Sequence, residues 1–250
     1  MAGHSKWANI KHKKAATDKK KGKIFSKLAK EIMVAAKDGG GNPNDNPRLR
    51  TALTAAKAAN MPGTNVDRAI KKGTGELAGV NFEEILYEGY GPAGIAVMVE
   101  CLTDNRNRTA SEVRYVFDRN NGNLAGSGAV NWMFHRKAHF VISGENADEE
   151  KLMELTLDAG AEDIESEDGM AEIWAAPEAF EDIMKALEDA GIETEEAAIV
   201  QNPENTVEIK DLSEAKQALR IIDLLEDLED VQAVHSNFEI DEEILDQVED

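Results

Sequence analysis

Asp158-Ala159-Gly160-Ala161-Glu162 recurs as Asp189-Ala190-Gly191-Ile192-Glu193, 31 residues further on. In each copy a glycine follows a run with helical spacing and precedes a strand-like run. A helix commonly ends there on a left-handed residue, a conformation glycine adopts at little steric cost. The repeat therefore marks two equivalent helix-to-strand passages. Around them, 138–143 (AHFVIS) reads as a strand, 148–159 as a helix, 162–166 and 170–175 as strands, 177–189 as a helix and 194–201 as a strand. That is βαββαβ, the split-βαβ or ferredoxin-like order.

The flanks of this block form a second unit of the same kind. Residues 94–102 (GIAVMVECL) read as a strand, 106–120 as a helix and 128–134 as a strand. Beyond the block, 205–209 reads as a strand, 212–228 as a helix and 231–239 as a strand. Each flank is βαβ, so the expectation is a second ferredoxin-like domain interrupted by the first.

Before residue 80 the texture is helical. Ile24, Leu28, Ile32 and Ala35 recur at three- to four-residue spacing, with Lys23, Lys27, Lys30 and Lys37 on the opposite side. Gly39-Gly40-Gly41 ends this helix, Asn46 caps a second with Pro47 at its first position, and Thr64 is expected to cap a short third that stops at Gly73. The predicted fold class is α+β: a helical N-terminal domain plus two ferredoxin-like α/β domains, one inserted into the other. The expected bounds are 1–80 for the basic arm and bundle, 81–134 with 205–240 for the discontinuous domain, 135–204 for the acidic insert, and 241–250 for an acidic tail. A chain of 250 residues suits two or three domains.

The net charge of −21 conceals a division. Residues 1–80 carry 17 Lys and Arg against 6 Asp and Glu, whereas residues 141–250 carry 5 against 36. A basic head joined to an acidic body points to a nucleic-acid-facing end. Residues 1–22 hold too little apolar material to fold alone and read as an arm that orders on a polyanion. The candidate nucleic-acid contacts are Lys6, Trp7, Lys11, His12, Lys13, Lys14, Lys19, Lys20, Lys21, Lys23 and Lys27, continued over the bundle by Arg48, Arg50, Lys57, Arg68, Lys71 and Lys72. Long cations at this density suit phosphate neutralisation, and Trp7 suits base stacking or docking on the bundle. The third helix is short and offers no Asn or Gln pair for adenine, so base reading by it is weakly supported. The acidic domains suit a basic protein partner.

Other chemistries find little support. No apolar run reaches the roughly 18 residues of a membrane span, and the charged N-terminus lacks a signal-peptide core. The expected location is the cytoplasm. Cys101 stands alone in an apolar strand, so neither a disulfide framework nor a CxxC metal pair is available. The glycine runs at 39–41 and 73–75 lack the Lys-Ser/Thr of a phosphate loop. His135 and His139 have no third ligand nearby, and the acidic stretches lack the Asp/Asn alternation of a calcium loop. Asp104-Asn105-Arg106-Asn107-Arg108, at a strand-to-helix junction, reads either as a cap or as an anion contact. The chain is read as a non-enzyme, with no cofactor and no metal.

Three stretches carry a family resemblance: GHSKWANIKHKKAATDKKKGKIFSKLAKEI, NPRLRTALTAAKAANMPGTNVDRAIKKG and YEGYGPAGIAVMVECLTDNRNRTASEVR. The chain resembles the YebC/PmpR family along essentially its whole length. That family includes the mitochondrial translational activator of cytochrome oxidase subunit one. The resemblance implies a helical N-terminal domain and two α/β domains, one inserted in the other, with no catalytic residues. It places His4, Ser5, Lys6, Trp7, His12 and Lys13 in the arm and Asn60, Met61 and Pro62 in a turn of the bundle. Tyr87, Glu88, Gly89, Tyr90, Gly91 and Pro92 would form an interdomain or strand lead-in motif. Members are commonly described as DNA-binding transcriptional regulators; others are similar to ribosome-associated factors. The resemblance therefore implies either duplex DNA or ribosomal RNA and tRNA as the partner.

Overall fold

The computed structural model describes residues 18–167 and 169–249, with side chains on the first helix described from Lys21 onward. The chain divides into two compact units. Trp132–Thr206 forms one; the described residues up to Asn131, together with Val207 onward, form the other.

The larger unit begins with three helices, α1 (Asp18–Gly39), α2 (Pro47–Ala58) and α3 (Gly63–Gly73). Among the described residues α1 starts five residues before the expected Lys23, because extending a formed helix adds one hydrogen bond per residue fixed. Ile32, Ala35, Leu49, Ala52, Ala56, Met61 and Ala69 close a small core. Asn46 caps α2 as expected, its Oδ1 accepting from the Leu49 N–H at 3.0 Å. Its Nδ2 donates to the carbonyls of Ala35 and Gly40, tying the end of α1 to the start of α2. Thr64 does not cap α3: the helix starts at Gly63 after Pro62, and no side chain closes its N-terminus.

The second part of this unit is a sheet of order β3-β1-β2-β9, built from β1 (Glu83–Tyr90), β2 (Ala96–Thr103), β3 (Asn123–Leu124) and β9 (Val231–Ser236). Helices α4 (Arg106–Arg119) and α7 (Leu212–Glu226) pack on its apolar face. β2 pairs with β9 antiparallel, so both flanks of the insert share one sheet, as the nested reading requires. The strand inventory differs from expectation. Residues 83–90, of which only 87–90 were read, as part of an interdomain or strand lead-in motif at 87–92, form β1 and occupy the sheet position that the ferredoxin-like order would give to 205–209. That segment instead supplies β8 (Val207–Ile209), which pairs parallel with β10 (Phe238–Ile240). Ile85, Leu86 and Tyr87 do not alternate with polar residues, and Gly89 weakens the strand pattern further. Residues 128–134 do not form the expected strand, since the loop there is drawn onto the Glu88 carboxylate. The described part of the stretch expected as an acidic tail, 241–249, is not a tail: α8 (Glu242–Glu249) buries Leu245 in the core, with Ile244 and Val248 packed beside it.

The smaller unit follows the repeat-based reading. Its elements are β4 (Phe134–Ser143), α5 (Glu149–Thr156), β5 (Ala161–Glu167), β6 (Met170–Ala175), α6 (Phe180–Asp189) and β7 (Glu196–Pro203). The sheet order is β5-β6-β4-β7, with every neighbouring pair antiparallel, the ferredoxin-like layout. Gly160 and Gly191 both have positive φ, at 101° and 70°. Phe140, Ile142, Leu152, Ile173, Ile183 and Leu187 are fully buried between sheet and helices.

Candidate nucleic-acid interface

Cations stand at the end of α2 and along α3: Lys57, Arg68 and Lys71 are exposed and Lys72 is half-buried. On α3, Val66, Ala69 and Ile70 turn inward, which places Arg68, Lys71 and Lys72 at i, i+3 and i+4 toward the other side. Gly73 lets this helix lie close against α1, for a Cβ there would meet the Met33 carbonyl oxygen and, at 2.8 Å, Ala36 Cβ. Asn60, at φ 55°, reverses the chain between α2 and α3, and Met61 plugs the core at the turn. Lys57 stands exposed in the last turn of α2. Lys57, Arg68, Lys71 and Lys72 enter no ion pair with any described residue. Lys21 is exposed on α1. Lys6, Trp7, Lys11, His12, Lys13 and Lys14, and the side chains of Lys19 and Lys20, lie outside the described residues.

Other predicted contacts have intramolecular partners. Lys23 Nζ bonds the Asp227 carbonyl at 3.1 Å and pairs with its Oδ1 at 2.9 Å; Lys27 Nζ donates to the Glu226 carbonyl at 2.8 Å. Lys30 Nζ donates to the Glu229 carbonyl at 3.0 Å and pairs with Asp230 Oδ1 at 2.8 Å. Three lysines one helical turn apart thus meet the C-terminal end of α7, whose last carbonyls lack intrahelical partners and carry negative partial charge. Arg48 forks onto Glu31, at 2.7 and 3.1 Å, and reaches Glu84 of β1 at 2.6 Å. The hydrogen bond to Glu31 holds its pKa above the ordinary guanidinium value. Arg50 donates to the carbonyls of Pro43 and Asn44. The cationic side of α1, whose Lys23 and Lys27 were expected to contact nucleic acid, is in this stretch the seam between bundle and sheet.

Sequence reasoning missed the centre of that seam. Asp230, 1% exposed, accepts from Arg108 Nη2 at 2.6 Å, Thr109 Oγ1 at 2.8 Å and Thr103 Oγ1 at 3.0 Å, besides Lys30. Burial pushes the Asp230 carboxyl up, but hydrogen bonds from Arg108, Lys30 and Thr109 outweigh it and bring the pKa down to about 2. The cluster at 104–108 is therefore a cap and a clasp: Asn105 Oδ1 accepts from the Arg108 N–H, and Arg108 bridges Asp104 and Asp230. An anion at this junction would compete with two resident carboxylates. A strand-leading aspartate carries no local signal of a partner more than 120 residues away.

The histidines and the cysteine behave as structural groups. His139 stacks on Trp174 with ring centroids 4.0 Å apart, its Nε2 3.0 Å from Glu172 Oε2, whereas His135 is exposed and 3.7 Å from Glu204. Among the described residues no three His, Cys, Asp or Glu are grouped to hold a metal ion. Burial pushes the Cys101 thiol up to about 12, far from a reactive thiolate. No helix among the described residues is long and apolar enough to cross a membrane.

Comparison with known proteins matches two family models. Residues 5–76 match the TACO1/YebC protein N-terminal domain, and residues 82–238 match the TACO1/YebC second and third domain. A Halothermothrix orenii protein named "Probable transcriptional regulatory protein" is 52% identical over 250 residues, covering 99% of each chain. A Fusobacterium nucleatum protein, likewise named a probable transcriptional regulatory protein, is 53% identical over 249 residues and the full length of both. Among solved structures, a conserved hypothetical protein from Aquifex aeolicus superposes with a TM-score of 0.82 at 49% identity, covering 91% of this chain and 94% of that one.

Proposed function

The chain belongs to the TACO1/YebC family, and from that premise we propose that it is a non-enzymatic, nucleic-acid-binding regulator of gene expression. One observation carries the reading: Lys57 on α2 and Arg68, Lys71 and Lys72 on α3 enter no ion pair with any described carboxylate. By contrast, Lys23, Lys27 and Lys30 of α1 and Arg48 of α2 are consumed by ion pairs and a helix end. The Lys-rich segment ahead of α1 adds further phosphate contacts. Each contact releases condensed counterions, so affinity grows with their number and falls with salt. The names of the relatives support regulation of transcription; on this reading the partner is duplex DNA and the place of action the cytoplasm.

A second reading, a translation factor on ribosomal RNA or tRNA, is favoured by the geometry of α3. That helix has 11 residues, and its cationic side offers Arg68, Lys71 and Lys72 with a single side-chain amide, Asn65, one turn before Arg68. Such a surface grips phosphates in a folded RNA more readily than it discriminates base pairs in a major groove. Ultraviolet crosslinking in living cells, with bound DNA and RNA recovered and sequenced separately, decides between them. Discrete promoter DNA with little RNA is the result expected of the transcriptional reading. Crosslinks concentrated in ribosomal RNA or tRNA would replace it with the translational one, and background levels of both would overturn the nucleic-acid reading itself.

A further inference from the structure

The sheet-bearing part of the larger unit has its own segregated cations. Of seven Lys and Arg in residues 81–131 and 207–249, Arg108 and Lys210 are ion-paired, with Asp104 and Asp230 and with Glu208. The other five are Arg106, Arg114 and Arg119 on α4 and Lys216 and Arg220 on α7. All five are exposed, and none pairs with a described carboxylate. These two helices share one core, and Asn121, just past α4, donates to Gln217 of α7 at 2.8 Å. The unpaired cations therefore belong to one helical layer.

An aromatic ring stands in that layer. Tyr115 is 61% exposed, and the guanidinium carbon of Arg119, one turn on, lies 5.6 Å from its ring centroid. Val113, Val116 and Phe117 of the same helix are buried in the core, so the ring's exposure is not forced by a lack of apolar contacts for α4. We propose that this face binds an unpaired nucleic-acid strand, with a base stacked on Tyr115 beside Arg119 and phosphates taken by Arg114, Lys216 and Arg220. An unpaired strand fits better than a duplex for two reasons. Glu112, Asp118, Glu214 and Asp223 lie on the same helices, so the face is not the dense cation field that a duplex needs. A duplex also hides the base faces on which an aromatic ring gains its energy, whereas every unpaired base presents one.

The inference rests on the nucleic-acid reading and adds a contact separate from the bundle. Its test measures binding of the full chain to two labelled probes, a 12-nucleotide oligouridine and a 12-base-pair duplex. The variants are Tyr115→Ala, Tyr115→Phe and a bundle variant with Lys57, Arg68, Lys71 and Lys72 all changed to Gln. Tyr115→Ala is expected to weaken oligouridine binding about 5- to 150-fold, the range corresponding to about 1–3 kcal/mol per stacked base. Tyr115→Phe should bind as wild type, and duplex affinity should not change in either Tyr115 variant. Photocrosslinked 4-thiouridine should be recovered on the tryptic peptide Tyr115–Arg119. Wild-type affinity of Tyr115→Ala for oligouridine overturns the inference. If the bundle variant alone fails to bind both probes, the proposed function stands and this second site falls; if the wild type binds neither probe, both fall.

Discussion

Lys30 and Asp230, 200 residues apart in the chain, meet as an ion pair at 2.8 Å with 10% and 2% of their side chains exposed. Phe82 covers the lysine, its ring centroid 5.7 Å from Nζ. Two charges can be held away from water only where their other hydrogen-bonding positions are also met. Here the Glu229 carbonyl serves Lys30, and Thr103, Thr109 and Arg108 serve Asp230. Removing one member strands the other. Lys30→Met and Asp230→Asn are each expected to lower stability by about 3–5 kcal/mol in urea unfolding. A loss under about 1 kcal/mol would mean that the seam relaxes and admits water.

The same group sets an acid limb. The folded pKa of Asp230, about 2, lies below its ordinary value of 3.8. Its contribution is therefore complete above about pH 5 and is lost as pH falls through 4 toward 2, amounting to roughly 2–3 kcal/mol. Asp230→Asn should flatten that part of the stability–pH profile. A profile equally steep in the variant would assign the acid limb to other carboxylates.

Glu88 holds the loop that leads toward the insert. Its carboxylate accepts from the backbone N–H groups of Gly128, Val130 and Asn131 at 2.7–2.8 Å, with the residue 2% exposed. Burial pushes its pKa up, and the backbone donors reverse that to a net lowering. Glu88→Ala is expected to cost about 1.5–3 kcal/mol and to speed amide exchange at these three positions selectively. Uniformly faster exchange across the sheet would show a general destabilisation instead.

The parts of the fold that were legible had local causes. Gly160 and Gly191 announced two helix ends, and Asn46-Pro47 announced a helix start, because the required φ and the orphan N–H groups select those residues on the spot. β1 was missed because Gly89 weakens the strand pattern, and the reason for that glycine is distant: a Cβ there would meet the Asn123 carbonyl at 2.6 Å and the Phe117 ring at 2.7 Å. The lysines of α1 show the same limit at the site. Periodicity put Lys23, Lys27 and Lys30 opposite the bundle core, but only tertiary structure showed that side meeting the end of α7.

Gly73 tests the placement of α3. Gly73→Ala should force α3 away from α1 and cost about 1–3 kcal/mol, in the range of other overpacking substitutions. If the cations of α3 act from a fixed position, the variant should also lose affinity for nucleic acid under conditions where it remains folded by circular dichroism. Full affinity would show that their placement on the bundle does not matter.

The two classes of cation separate by salt and by stability. Changing Lys57, Arg68, Lys71 and Lys72 to Gln breaks no described ion pair, so urea midpoints should stay near wild type while binding weakens. The slope of log K against log salt should fall by up to about 0.9 for each duplex phosphate that is no longer neutralised. Changing Lys13, Lys14, Lys20 and Lys21 to Gln should lower the slope in the same way if the basic arm also grips phosphate. Arg48→Gln should do the opposite: it releases Glu31 and Glu84, so stability falls and the salt slope holds. An unchanged slope in both multiple variants, or a lowered slope in Arg48→Gln, would mean that the phosphate-binding surface lies elsewhere than on the unpaired side of α2 and α3.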